Sequence, residues 1–168
     1  MKTIALLRAV NVGGTGKLPM AELKTMAEEL GFRNVRTYIA SGNLLFDTGL
    51  QEIAIKSKLE MRLEDFAGKR VGVLVRTGAE MAKVVADNPF AGEPGNRVVT
   101  IFLDEPAPAS ALSEHRGLHD ERIALGRREL YVHYPSGLGT SRLVIPAAKA
   151  GTARNMNTVQ KLAELARD

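Results

Sequence analysis

The hydrophobic pattern of this chain alternates between strand and helix periods in an order that admits few folds. Thr3 to Ala9 is a short apolar run bounded by Gly13-Gly14, which reads as a buried strand. Met20, Leu23, Ala27 and Leu30 then recur at helical spacing. Pro19 stands where a first helical turn accepts proline, and Gly31 closes the helix. Val35 to Ala40 and Leu44 to Phe46 return to strand period around Gly42-Asn43, a hairpin turn signal. Thr48 and Gln51 form a capping-box pattern ahead of Ile55, Leu59, Leu63 and Phe66, which share one helical face. Val71 to Val75 is a further strand.

The order is βαββαβ over residues 1–77, which predicts a ferredoxin-like unit in an α+β fold. A right-handed crossover makes the first two strands parallel and leaves the third antiparallel between them. The exit of the first strand, Asn11 to Lys17, then lies at the same sheet edge as the hairpin Ser41 to Asn43. Thr77 and Glu80 open a short helix that ends at Asn88-Pro89, and residues 78–96 connect the halves. Residues 97–168 read as a second ferredoxin-like half with a C-terminal helix, packed against or intertwined with the first. Its strands are expected at Val98 to Leu103, Arg122 to Leu125, Glu129 to Tyr134 and Thr152 to Arg154. A weak helix is expected to about His115 and another short one between Ser141 and Lys149. The end of the Tyr131-Tyr134 strand should adjoin Arg154 to Asn157. The duplication rests on element order, because the halves share no convincing residue-level similarity.

Composition narrows the function classes. Of 168 residues 45% are hydrophobic, enough for a core, and the net charge of +4 is mildly basic. Aromatic residues are 5% and Trp is absent, so base-stacking surfaces are sparse. The absence of Cys excludes disulfides, thiolate catalysis and Cys-zinc sites. Arg8 interrupts the first apolar run far short of a secretory segment, and no stretch reaches membrane-spanning length. A soluble cytoplasmic protein with no membrane association is expected. His115 and His119 are four apart, but no Glu follows the zincin pattern, so no metal is expected, and no cofactor is expected either. His133 alternates with Tyr131 and reads as a surface or core residue.

The polar residues gather where the chain leaves regular structure, the places that carry sites. Gly13-Gly14-Thr15-Gly16-Lys17 lacks the spacing and hydroxyl of a Walker loop, with Asn11 and Leu18 at the positions that decide it. A looser anion site there stands against a flexible Gly-rich connection. Arg8 ends an apolar strand and needs acceptors; a ligand anion, Asp47, Asp104 or backbone carbonyls are the alternatives. Ser41-Gly42-Asn43 is hairpin chemistry by itself and a donor-acceptor pocket beside Asn11, Gly13 and Gly14. Asn157 with Gln160 is a helix-capping pair that leaves Arg154 and Asn155 unexplained, since Arg opposes the dipole of a helix start. No catalytic residue can be named from these patterns.

The same residues resemble a known family. Leu6-Leu7-Arg8-Ala9-Val10-Asn11-Val12-Gly13-Gly14, Lys17-Leu18-Pro19-Met20, Gly31-Phe32 with Thr37-Tyr38-Ile39-Ala40-Ser41-Gly42-Asn43, and Thr152-Ala153-Arg154-Asn155-Met156-Asn157-Thr158-Val159-Gln160-Lys161-Leu162 are similar to the bacterial family of domain of unknown function 1697. Met156 stands where that family's pattern has Trp, which removes an aromatic stacking surface. The resemblance implies an α+β fold with ferredoxin-like halves and brings no activity with it.

Three functions are compatible with these patterns. The leading expectation is a module binding an anionic or nucleotide-like small ligand through Arg8, Asn11, Gly13, Gly14, Lys17, Ser41 and Asn43, with Arg154, Asn155 and Asn157 as a second or shared patch. The second is an enzyme acting on a phosphorylated or carboxylated small molecule, with Asn and Arg stabilising charge. The third and least favoured is weak, non-specific nucleic-acid binding through the basic surface.

Overall fold

The structure, a computed structural model, describes residues 1–8 and 18–167. The connection expected over Asn11 to Lys17 lies outside the described residues. The chain divides into two compact units, Met1–Met81 with Leu162–Asp168, and Ala82–Lys161.

In the first unit four strands, β1 (Lys2–Leu7), β2 (Arg33–Thr37), β3 (Asn43–Asp47) and β4 (Val73–Thr77), form a sheet ordered β2-β3-β1-β4. Every neighbouring pair is antiparallel, and β3 lies between β1 and β2. Helices α1 (Met20–Glu29) and α2 (Glu52–Ala67) make the core with one sheet face. Leu23, Met26, Ile55, Leu59 and Leu63 pack with Ala5, Leu7, Leu44, Phe46, Val73 and Val75. Phe32 stacks on Phe46 at 4.3 Å between ring centroids. The opposite face, carrying Ile4, Leu6, Leu45 and Leu74, is buried as well. That explains why these strands read as continuous apolar runs without alternation.

Local chemistry sets the ends of the elements. Gly31, at φ +91°, closes α1 with its N–H on the Glu28 carbonyl, while Phe32 N–H reaches the Ala27 carbonyl. This is a Schellman closure, which needs the left-handed conformation that glycine adopts without strain. β2 stops at Thr37, short of the expected Ala40, because Ile39 leaves extended geometry at φ +52°. The capping box expected from Thr48 and Gln51 does not form. Thr48 Oγ1 instead accepts the Leu50 N–H at 3.2 Å, and Gln51 at the helix start makes no side-chain cap.

In the second unit β5 (Val98–Phe102), β6 (Arg122–Leu125), β7 (Glu129–His133) and β8 (Thr152–Asn155) form a sheet ordered β6-β7-β5-β8, again antiparallel throughout. Each label is four higher than its counterpart in the first sheet. The core here is Val99, Ile101, Leu130 and Val132 with Leu103, Ala111 and Ile145. Two of the three helices expected in this half are single 3-10 turns, at Ala109–Leu112 and Pro146–Ala148. The first segment carries Pro106, Pro108 and Gly117 and no sustained apolar stripe, and the second is opened by Pro146. Two further helices, α3 (Gly78–Ala86) and α4 (Met156–Leu165), follow the last strand of each sheet and run across the division between units.

Candidate functional site

The first cluster is built where β1 ends. Leu7 N–H donates to the Gly42 carbonyl and Arg8 N–H to the Gly72 carbonyl, both at 2.9 Å. These bonds carry the ladder past β1 and fix Arg8 between the β2-β3 connection and the entry to β4. The aliphatic stem of Arg8 lies over Gly72: a Cβ on that glycine would come within 2.9 Å of Arg8 Cδ. Asn43 is fully buried, and its amide donates to the Tyr38 carbonyl at 2.8 Å and to Ser41 Oγ at 2.9 Å. The hairpin is thereby pinned from beneath, with Gly42 at φ +87° supplying the reversal. Arg8 and the Ser41-Asn43 hairpin are brought together. Asn11, Gly13, Gly14 and Lys17 fall outside the described residues.

Asp47 is not a partner of Arg8. It lies opposite Lys2 at the far end of β1, where Lys2 approaches it at 3.6 Å and the Asn34 amide donates to it at 2.6 Å. The Asn34 bond, with Lys2, holds the Asp47 carboxyl below the usual carboxylate range.

The second cluster is assembled differently from the expectation. The cap of α4 is Asn155, not Asn157: Asn155 Oδ1 accepts the Thr158 N–H at 3.0 Å, and the helix begins at Met156. Asn157 is exposed, and its side chain abuts Gly95, where any Cβ would collide with Oδ1. Arg154 is a buried strand residue opposite Thr100. Its guanidinium donates to Thr152 Oγ1 at 2.7 Å and to the Ala153 carbonyl at 2.9 Å. Burial pulls its pKa down to about 10. The last residues of β7 and β8 lie at the same end of β5 but on its two sides, His133 opposite Val98 and Asn155 opposite Val99, so β5 separates the segments expected to adjoin. Met156, the first residue of α4, is 1% exposed and is an apolar core residue.

One buried residue lies outside the patterns read from the sequence. Arg76 in β4 is 1% exposed and sits immediately before Thr77, which caps α3 reciprocally with Glu80. The pattern matches Arg154 before Asn155 and α4. Comparison of those two strand-to-helix junctions was the signal available. His133 is buried, with Nε2 3.4 Å from Glu93 Oε2 and its ring 5.6 Å from that of Phe90. Its Nδ1 and Thr100 Oγ1 are buried without a hydrogen-bond partner among the described residues.

These features define a mixed α+β protein, with two four-stranded antiparallel sheets and four helices among the described residues. Among the described residues no helix is long and apolar enough to cross a membrane. The model of the family described as "protein of unknown function (DUF1697)" matches residues 1–131, and the chain belongs to that family. A solved structure, that of the conserved bacterial protein SP0830 from Streptococcus pneumoniae, is similar with a TM-score of 0.82 and 22% identity. The match covers 99% of this chain and 98% of that one, and the likeness is one of fold. No curated protein matches the sequence.

Proposed function

We propose that this protein is a binding module for a small anionic, nucleotide-like ligand held where β1 leaves the first sheet. The observation that carries the reading is the pair of backbone bonds from Leu7 to Gly42 and from Arg8 to Gly72. They hold a cation beside two glycine-bearing connections, with the amide of Asn43 and the hydroxyl of Ser41 one strand away. In this reading Arg8 pairs with the anion, and Asn11, Gly13, Gly14 and Lys17, which follow it in sequence, complete the set. Backbone N–H groups of a Gly-rich turn leading into a helix favour negative charge. Arg154, Asn155 and Asn157 enter as a second patch, and the bonds of Arg154 and Asn155 give those two a structural task besides.

We read each unit as ferredoxin-like and residues 1–77 and 97–168 as duplicated halves. The support is the matching strand order and the matching Arg-then-cap junctions of Arg76-Thr77 and Arg154-Asn155.

Thermal melts with inorganic phosphate or ADP test the proposal. A ligand at one hundred times its Kd stabilises by about 2.7 kcal/mol. The parent should gain stability with ADP and Arg8→Ala should not. Gly72→Ala, which pushes the Arg8 stem aside, should lower the gain while keeping the charge. A parent protein that neither phosphate nor ADP shifts would reject the reading.

A further inference from the structure

Ile39 stands out in the connection between β2 and β3. It and Asn34 are the non-glycine residues with positive φ among those described, both at +52°. Asn tolerates that region, and Asn34 there reaches Asp47. A β-branched residue in the left-handed region is an outlier that persists only where its surroundings impose it. Asn43 does so here. Its buried amide holds the Tyr38 carbonyl just before Ile39 and the Ser41 hydroxyl just after Ala40, while Tyr38 N–H donates to the Asn43 carbonyl at 3.0 Å. Glycine would take this φ without strain. Burial does not offset the strain either, because Ile39 is 48% exposed. The chain therefore displays a branched apolar side chain at a conformational cost, on the same connection whose Gly42 is bonded to Leu7 beside Arg8.

We infer that Ile39 is a specificity contact of the site proposed above: it receives the apolar part of a ligand whose anionic part lies at Arg8. The ligand class is then an amphipathic anion, a nucleotide with its base against Ile39, rather than a bare phosphate or sugar phosphate. This inference rests on the proposed function. Asn43 is the positioning residue for the contact.

Calorimetric titrations with inorganic phosphate, ribose 5-phosphate and AMP, on the parent and on Ile39→Gly, test it. The parent should bind AMP about tenfold tighter than ribose 5-phosphate, the size expected for covering an apolar side chain. Ile39→Gly should keep its affinity for ribose 5-phosphate and lose most of the preference for AMP. Without ligand it should melt at or above the parent temperature, because the strain is relieved. A parent with no preference for AMP, an Ile39→Gly variant that retains the preference, or one that melts well below the parent would each overturn the inference. Absence of binding by all three probes would instead remove the proposed function on which it rests.

Discussion

The two sheets have the same strand order and opposite ways of completing a core. In the first, two helices cover one face, and the buried residues of the other face are apolar apart from Asn43 and Arg76. In the second, 3-10 turns and loops flank the apolar face, and the other face carries Thr100, Glu129, Tyr131, His133, Thr152 and Arg154, all buried. The registers align the two position by position. Ile4 faces Leu45 and Arg76, while Thr100 faces Tyr131 and Arg154. Only the arginine is common to both. The difference shows that one strand order accommodates an apolar and a polar buried face, the polar one held largely by bonds within it. Tyr131 donates its hydroxyl to the Val84 carbonyl at 2.8 Å, and burial pushes the phenol pKa up.

The largest effect that would sharpen this contrast lies in the helical core. Leu59→Ala in α2 should cost roughly 2–5 kcal/mol in chemical denaturation. Ala111→Gly, in the corresponding 3-10 turn, should cost about 1 kcal/mol or less. Equal costs would show that the first unit does not lean on its helices. Arg154→Ala should destabilise by roughly 2–3 kcal/mol through lost packing and an abandoned Thr152 hydroxyl. Arg8→Ala, at a partly exposed strand exit, should stay within about 1 kcal/mol of the parent; the reverse order would exchange their roles. Thr100→Val removes a buried hydroxyl that has no partner among the described residues, so it should raise stability by about 1 kcal/mol. A loss on that substitution would show that the hydroxyl is bonded in solution.

Two smaller effects probe local bonds. Asn155→Ala should cost about 1 kcal/mol as the loss of a helix cap, whereas Asn157→Ala should cost little. At the first sheet, Asn34→Ala should raise the Asp47 pKa, read by carboxyl NMR titration. The folded pKa is depressed, so the Asn34 bond stabilises the protein above the unfolded value near about 3.9 and the benefit fades as pH falls through the folded pKa. An unchanged Asp47 titration in the variant would assign the shift to Lys2.

What the sequence disclosed follows from this contrast. The eight strands were legible because both faces of most are buried, and their apolar runs end at glycine, proline or a cap. Boundaries moved where one residue departs from its neighbours, as at Ile39. The two inner helices of the second half are single turns because Pro106, Pro108 and Pro146 interrupt segments that have no sustained apolar stripe, whereas the C-terminal helix has one and forms. Asn157 looked like a cap because Gln160 follows it, yet β8 runs one residue further and gives the position to Asn155. Arg76 was hidden inside a strand of Val and Leu, where a fully buried arginine is rarely expected. At the candidate site, the adjacency of the β1 exit and the hairpin followed from crossover handedness alone. The imposed φ of Ile39 did not, because it arises from the tertiary burial of Asn43.

The central claim is that an anion binds beside Arg8. Backbone amide shifts of the labelled protein, followed during titration with inorganic phosphate, test it most directly. The account predicts saturable shifts at Arg8, Gly42, Asn43 and Gly72 that disappear in Arg8→Ala. Shifts confined to residues around Asn155 and Asn157, or none that saturate, would contradict it.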